Sequence, residues 1–213
     1  MTIQLVVFDL DGTLTTHNSS WWRLHEHFNT HEEGGKYYDQ YFAGTIDYQE
    51  WADLDAGLWK GQPLSEVLKI AEETEIMPGS VETIQELKKN GISVAVLSGG
   101  IDILAERIVE RIGIDYLMVN KIHHENGIIT GKVDVNVGWG GKAEEIKQVC
   151  KDFNVDLSET AFVGDGKNDI AVFPVVALSI AFNPEADEVA EAASIVVRKK
   201  DLREVLPSIL KYQ

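Results

Sequence analysis

Gln4-Leu5-Val6-Val7-Phe8-Asp9-Leu10-Asp11-Gly12-Thr13 joins an apolar half to a polar one. Gln4 to Phe8 is a β-branched and apolar run, the pattern of a buried strand. Asp9 to Thr13 stops that strand, and Gly12 eases a turn of the backbone. Two later segments repeat the plan: Ile92–Leu97 runs into Ser98-Gly99-Gly100, and Thr160–Val163 into Gly164-Asp165-Gly166. Helical spacing fills the intervals. Val81, Ile84 and Leu87 mark a helix face that stops at Asn90-Gly91. Ile101, Leu104, Ala105, Ile108 and Ile112 mark another, closed by Gly113, and a third helix is expected over Lys142–Phe153. Tyr116–Asn120, Leu178–Ala181 and Ser194–Val197 read as further strands, and Leu202–Leu210 as a closing helix. Lys121–Val133 reads as a hairpin turning at Asn126-Gly127, a pair that suits a type I′ turn. Strands alternating with helices imply right-handed crossovers, and so an α/β fold with a doubly wound, mainly parallel Rossmann-like sheet.

Between about Thr16 and Met77 the composition changes. Four of the five tryptophans lie there (Trp21, Trp22, Trp51 and Trp59), with Tyr37, Tyr38, Tyr41, Phe42 and Tyr48. This predicts a small, mostly helical insertion with its own aromatic core, interrupted at Gly34-Gly35, Gly44 and Gly61. The expected division is 1–15 and 78–213 for the α/β core and 16–77 for the insertion.

The chain has 213 residues, with 19 basic against 35 acidic side chains and a net charge of −16. That surface repels nucleic-acid backbones, so nucleic acid is an unsuitable partner. It also repels a phosphorylated metabolite unless a metal ion or a placed lysine reverses the field locally. Cys150 is the single cysteine and has no internal partner, which fits a reducing compartment. No apolar run is long enough to span a bilayer, and the N-terminus lacks the pattern of a signal peptide. A soluble cytoplasmic protein is therefore expected.

In a parallel sheet, ligands bind beyond the carboxyl ends of the strands. Every unusual polar cluster of this chain falls at such an end: Asp9 with Asp11, Ser98-Gly99-Gly100, and Asp165 with Asn168 and Asp169. Each has a plainer reading. Asp-x-Asp after a strand equally suits a turn with capping aspartates, Ser98 suits a helix N-cap, and Lys142 suits a solvated helix start. Taken together they suit phosphate chemistry. Asp9, Asp11 and Asp165 can hold Mg2+, and with that cation bound one carboxylate can attack phosphorus. A neighbouring carboxyl, its pKa raised by like charge, can protonate the leaving alkoxide. Ser98-Gly99-Gly100, read as opening a helix, can hold phosphate oxygens through the hydroxyl and backbone N–H groups. Lys142 balances charge that one Mg2+ cannot. His25, His27 and His31 read as solvated helix positions rather than a second metal site.

These segments resemble the haloacid dehalogenase superfamily of phosphohydrolases. Its Asp-x-Asp-x-Thr motif is matched by Asp9 to Thr13, its strand ending in Ser or Thr by Ser98, its lysine by Lys142, and its acidic motif by Gly164 to Asp169. Val96–Gly100, Val163–Ile170, Ile180–Phe182 and Lys200–Leu206 are further similar to the phosphoserine phosphatases. The resemblance implies that the insertion is a cap and that Asp9 is the nucleophile, with Asp11 the acid and then the base. It implies Mg2+ on Asp9, the Asp11 main-chain carbonyl and Asp165, and phosphate held by Ser98, Gly99 and Lys142, with Thr13, Gly100, Asn168 and Asp169 completing the site. The substrate expected is a small phosphorylated metabolite.

Two positions depart from that pattern. Asn18 stands where phosphoserine phosphatases carry a glutamate for the serine amino group, and Asp55 aligns with their arginine for the serine carboxylate. An aspartate does not pair with a carboxylate, so phosphoserine is kept as a substrate that the insertion suits less well than a polyol, sugar or amine phosphate. Asn18, Trp21, Trp22, Asp55 and Trp59 supply the candidate selecting residues, with most of the tryptophans assigned to core. A phosphotransferase passing the aspartyl-phosphate to an acceptor hydroxyl is the alternative. A non-enzymatic phospho-acceptor fits less well, because Asp9 ends the first strand and a long insertion follows.

Overall fold

β1 (Leu5–Phe8) is buried at all four positions, as its apolar run requires, and it lies at the centre of a seven-stranded sheet. The computed structural model describes residues 2–212. The remaining strands are β2 (Ser93–Ile101), β3 (Leu117–Glu125), β4 (Ile128–Asp134), β5 (Thr160–Gly164), β6 (Leu178–Phe182) and β7 (Ile195–Val197). Their order across the sheet is β4-β3-β2-β1-β5-β6-β7, with only β3 and β4 antiparallel. The order reverses at β1, the place where a doubly wound sheet opens a crevice for ligands. Register fixes what stands there. Phe8 is level with Val96 on one side and Val163 on the other, so Asp9, Ser98 and Asp165 all emerge within two residues of one another at the same edge.

α5 (Ser80–Lys89), α6 (Asp102–Ile112), α7 (Lys142–Phe153), α8 (Asp187–Ala192) and α9 (Leu206–Leu210) cover the sheet. One face buries Val6, Phe8, Val94 and Val163 with Ile84, Leu87 and Ile108 from the helices. The other buries Leu5, Val7, Leu97 and Phe162 against Ile146 and Val149 of α7. At the hairpin, Asn126 and Gly127 both have positive φ, as a type I′ turn demands. The closing helix is shorter than expected: Leu202–Val205 is a 3₁₀ turn, and α9 follows it.

Two expectations are corrected. Ser98-Gly99-Gly100 does not open a helix, because β2 continues through it to Ile101 and α6 begins only at Asp102. The pairing with β3 shifts register between Leu97 and Ile101, so these residues form an irregular strand end. Gly34-Gly35 does not interrupt the insertion either. Both lie inside a continuous helix, α2 (His31–Phe42), where a Cβ on Gly34 would come within 2.6 Å of His25 Cε1, so the glycine serves close packing.

The segment between β1 and α5 forms α1 (Ser20–His27), α2 (His31–Phe42), α3 (Tyr48–Leu58) and α4 (Leu64–Glu73). α3 starts on a complete capping box, with Asp47 bonding the Glu50 N–H and Glu50 reaching back to Asp47 N–H. The segment does not keep a core to itself. Leu24, Ala56, Trp59, Val67 and Ile70 share one buried cluster with Leu104 of α6 and with Ile122, Ile129 and Val133 of the hairpin. Trp59, fully buried in that cluster, ties the insertion to the sheet. Trp59→Ala should cost about 3–5 kcal/mol and lower the unfolding midpoint. Because the cluster is shared, tryptophan fluorescence and far-UV circular dichroism should report one coincident transition in the wild type.

Candidate active site

Lys142 is the first residue of α7, yet its side chain is wholly buried. A buried ammonium must be paired, and this one lies 2.9 Å from Asp9 Oδ1 and donates to Asp169 Oδ1 at 2.6 Å. Burial alone would lower its pKa, but the charges of Asp169 and Asp9 outweigh burial and hold it above the ordinary lysine range. Asp9 Oδ1 also accepts from the Leu10 N–H at 2.8 Å. One oxygen of Asp9 is thus pinned twice, which turns Oδ2 outward.

Beyond Asp9 the chain reverses through Gly12 at φ +79°, where a Cβ would land on Asp165 Oδ2. Only glycine allows the approach. Thr13 Oγ1 donates to Asp165 Oδ1 at 2.9 Å and so orients that carboxylate. Asp11 Oδ2 accepts from the Ser20 N–H at 2.7 Å, at the start of α1, while its Oδ1 is buried without a hydrogen bond and 3.5 Å from His17 Nδ1. Burial raises the Asp11 pKa, against the opposing pull of His17 and Ser20. Ser98 Oγ accepts from the Gly100 N–H at 3.1 Å, which leaves its own proton free to be donated. A Cβ on Gly100 would sit 2.9 Å from Ser20 Oγ, so this glycine lets α1 close on the end of β2.

Asp9, Asp165 and Asp169 each offer a buried oxygen, all within 4.8 Å of one another. Burial raises the Asp165 pKa well above its ordinary value, and the charges of Asp9 and Asp169 add to the effect. Burial likewise pushes Asp169 up to about 6, although Lys142 pulls the other way. Such a cluster calls for a cation. Both oxygens of Asp169 are already engaged, Oδ1 by Lys142 and Oδ2 by the Gly166 N–H at 3.0 Å. The oxygens left over belong to Asp9 and Asp165, hard donors beside a phosphate-sized space, and they fit Mg2+.

The cavity over these residues has a volume of about 720 Å3. Asp9, Asp11, Asn18, Asp55, Ser98, Gly99, Gly100, Asp165 and Asn168 all line it, so the residues singled out from sequence converge, with Thr13, Lys142 and Asp169 directly behind. Three helices complete its walls with side chains at helical spacing. These are Trp21, Trp22 and His25 on α1, Gly34, Tyr38 and Phe42 on α2, and Tyr48, Trp51, Ala52 and Asp55 on α3.

Two sequence assignments change here. Trp21 and Trp22 line the cavity with Trp51 and Trp139, whereas Trp59 alone of the insertion's tryptophans is wholly buried. His25 is not solvated: it is buried, with Nε2 3.3 Å from Asp55 Oδ1. His27 and His31 are exposed as expected. Asn120 was not singled out at all. Its amide donates to the carbonyls of Gly99 and Val137, and its carbonyl accepts from the N–H groups of Asn136 and Val137. It thereby fixes the loop that leads to Lys142, a role that a lone asparagine in a strand does not signal.

The sequence matches the family model of haloacid dehalogenase-like hydrolases over residues 3–174. The chain belongs to that family. The hydrolase is 34% identical over 207 residues to a phosphoserine phosphatase of Methanocaldococcus jannaschii, covering 97% of each chain. It is 33% identical to one of Wolinella succinogenes, covering 96% of this chain and 98% of the relative. A substrate-bound phosphoserine phosphatase structure superposes with a TM-score of 0.83 at 32% identity, covering 98% of this chain and 99% of that one. The hydrolase is thus phosphoserine phosphatase-like in sequence and fold.

The acidic cluster predicts a metal- and pH-dependent stability. A carboxyl whose folded pKa lies above its unfolded one loses stability as pH rises through the folded value. Metal-free protein should therefore gain thermal stability as pH falls from about 7 through the Asp169 value of about 6, and Mg2+ should restore stability at the higher pH. Asp165→Asn should raise the metal-free unfolding midpoint at neutral pH and abolish the Mg2+-dependent increase, both read by scanning calorimetry.

Proposed function

We propose that the protein is a Mg2+-dependent phosphomonoester hydrolase that attacks its substrate with the Asp9 carboxylate and passes through an aspartyl-phosphate. The observation that carries this reading is the pinning of Asp9. Its Oδ1 is held by Lys142 and the Leu10 N–H, and Oδ2 carries no hydrogen bond among the described residues. A nucleophile held in one rotamer loses little freedom on the way to the transition state. One of the related solved structures is a phospho-aspartyl intermediate analogue of phosphoserine phosphatase, which supports the same chemistry here.

In this reading Ser98 Oγ–H, the Gly99 N–H and the Lys142 ammonium hold the phosphate oxygens, and Asn168 borders them. Asp11, its pKa raised by burial, gives its proton to the leaving alkoxide from the oxygen that has no other partner. The same carboxylate then takes a proton from water as that water attacks the aspartyl-phosphate. Asp169 positions Lys142, and Thr13 positions Asp165. Mg2+, held by Asp9, Asp165 and the Asp11 main-chain carbonyl, would neutralise phosphate charge when bound.

Residues 1–15 and 78–213 serve as the catalytic core and 16–77 as a cap over it. The cap's two connections run side by side: the Thr16 N–H donates to Glu75 O at 3.1 Å, and the Met77 N–H to Leu14 O at 2.8 Å. Segments so paired suit hinges near Thr15–His17 and Glu75–Gly79. The substrate is a small phosphorylated metabolite. Phosphoserine suits the cavity less well, because the one lysine or arginine lining it among the described residues is Lys167, whose ammonium is 2.7 Å from Glu188. A cytoplasmic setting suits the buried, unpaired Cys150, and no helix of the described residues is long and apolar enough to cross a membrane.

The test is phosphate release with Mg2+ from a panel of phosphate esters. Asp9→Asn should lower kcat by at least about 10³-fold for every ester. Asp11→Asn should lower it by about 10²–10⁴-fold for alkyl esters. With p-nitrophenyl phosphate, whose leaving group needs no acid, Asp11→Asn should instead give a burst of nitrophenol followed by slow turnover. Undiminished turnover in Asp9→Asn would refute the reading.

A further inference from the structure

The far end of the cavity from Asp9 is aromatic and acidic. Trp51 and Asp55 are one turn apart on α3, so the indole and the carboxylate are neighbours on one helix face. Asp55 is 3% exposed, and its Oδ1 has no hydrogen bond. Trp51 Nε1 is buried without a partner as well. Two polar atoms left unsatisfied in one wall mark a place where a ligand belongs.

The residue facing Asp55 is His25, buried on α1. Trp59 Nε1–H donates to Thr30 Oγ1 at 3.2 Å, and Thr30 Oγ1 lies 2.9 Å from His25 Nδ1. An indole nitrogen can only donate, so Thr30 Oγ1 accepts from it and pairs with His25 Nδ1 through its second lone pair or its own proton, which fixes the imidazole in place. Nε2 faces Asp55 Oδ1 at 3.3 Å, outside hydrogen-bond geometry. Burial raises the Asp55 pKa, against the opposing pull of His25.

The rings around it form a box rather than a slot. Tyr38, Tyr48 and Trp139 meet Trp51 at interplanar angles of 83°, 83° and 44°, so they present differently oriented faces and edges. No lysine or arginine among the described residues stacks on any of these rings. A planar ligand would want two parallel walls. Several electron-rich rings beside a desolvated carboxylate instead attract a compact cation.

We propose that this box binds the cationic head of the substrate, which is a phosphate monoester of an amino alcohol bearing an ammonium or alkylammonium group and no carboxylate. The proposal rests on the phosphomonoesterase reading for the ester and on the box alone for the head. Lys142 and the metal site take the phosphate end, and Asp55 with the ring of Trp51 takes the opposite charge. The two departures seen in sequence then share one meaning. Asp55 removes the partner of a carboxylate and supplies the partner of a cation, while neutral Asn18 adds no competing charge.

The experiment separates head from phosphate. Wild-type protein is titrated, by tryptophan fluorescence, with choline, with its uncharged carbon isostere 3,3-dimethylbutanol, and with benzyl alcohol. Choline should bind at least about 10-fold more tightly than the isostere. Asp55→Asn should bring the two within about 2-fold. Equal binding of choline and the isostere, or no response to choline, overturns the proposal, as does tighter binding of benzyl alcohol, which would make the box a stacking site. Comparing ligands on one protein needs no variant to fold. Phosphate release from phosphocholine is measured alongside. Selective choline binding without phosphate release from any ester would leave the head-group assignment standing and overturn the phosphatase reading. Release that does not favour phosphocholine over 3,3-dimethylbutyl phosphate would do the reverse.

Discussion

The architecture at the sheet edge depends on one buried charge. Lys142 has no water to solvate it, so its ammonium must sit between Asp9 and Asp169. Removing one partner of such a group leaves an uncompensated charge inside the protein, which is costly. The pairing therefore locks α7 to the end of β1 and to the turn after β5. It also decides which oxygens are spent. Asp169 is used up in holding the lysine, Asp9 gives one oxygen and keeps the other, and Asp165 is steered by Thr13. The division of labour among the aspartates follows from this geometry.

A place suited to a cation follows from the same constraint. One ammonium faces three buried carboxylates, and burial raises the pKa values of Asp165 and Asp169, with the charge of Asp9 adding to the effect. The sheet edge is thus short of positive charge, a shortage that a bound divalent cation would relieve. In a chain with a net charge of −16, this is how phosphate can be drawn into an otherwise repelling field.

Much of this was legible in the sequence because it is local. The bounds of α7 at Lys142–Phe153 follow from its apolar spacing, and the Asn126-Gly127 turn follows from the conformations those two residues allow. The convergence of Asp9, Ser98 and Asp165 follows from parallel strands in register. What was misread depends on distant partners. Ser98-Gly99-Gly100 resembles a helix entry, yet the chain stays extended because β3 is there to pair with it. Gly34-Gly35 resembles a break, yet His25 needs the space inside a continuous α2. The tryptophans were misassigned because the helices of the insertion carry aromatics on more than one side. Which side meets the core and which meets the cavity is settled only by packing, with Trp59 inside and Trp21, Trp22 and Trp51 on the cavity.

The most direct measurement of the central claim is a trap of the covalent intermediate. Protein mixed with Mg2+ and a turned-over ester is quenched in acid within one turnover, digested, and searched by mass spectrometry for a phosphorylated peptide. One phosphoryl group, labile to hydroxylamine, is expected on the peptide containing Asp9. Turnover with no phosphopeptide, or with the phosphoryl group on another residue, would contradict it.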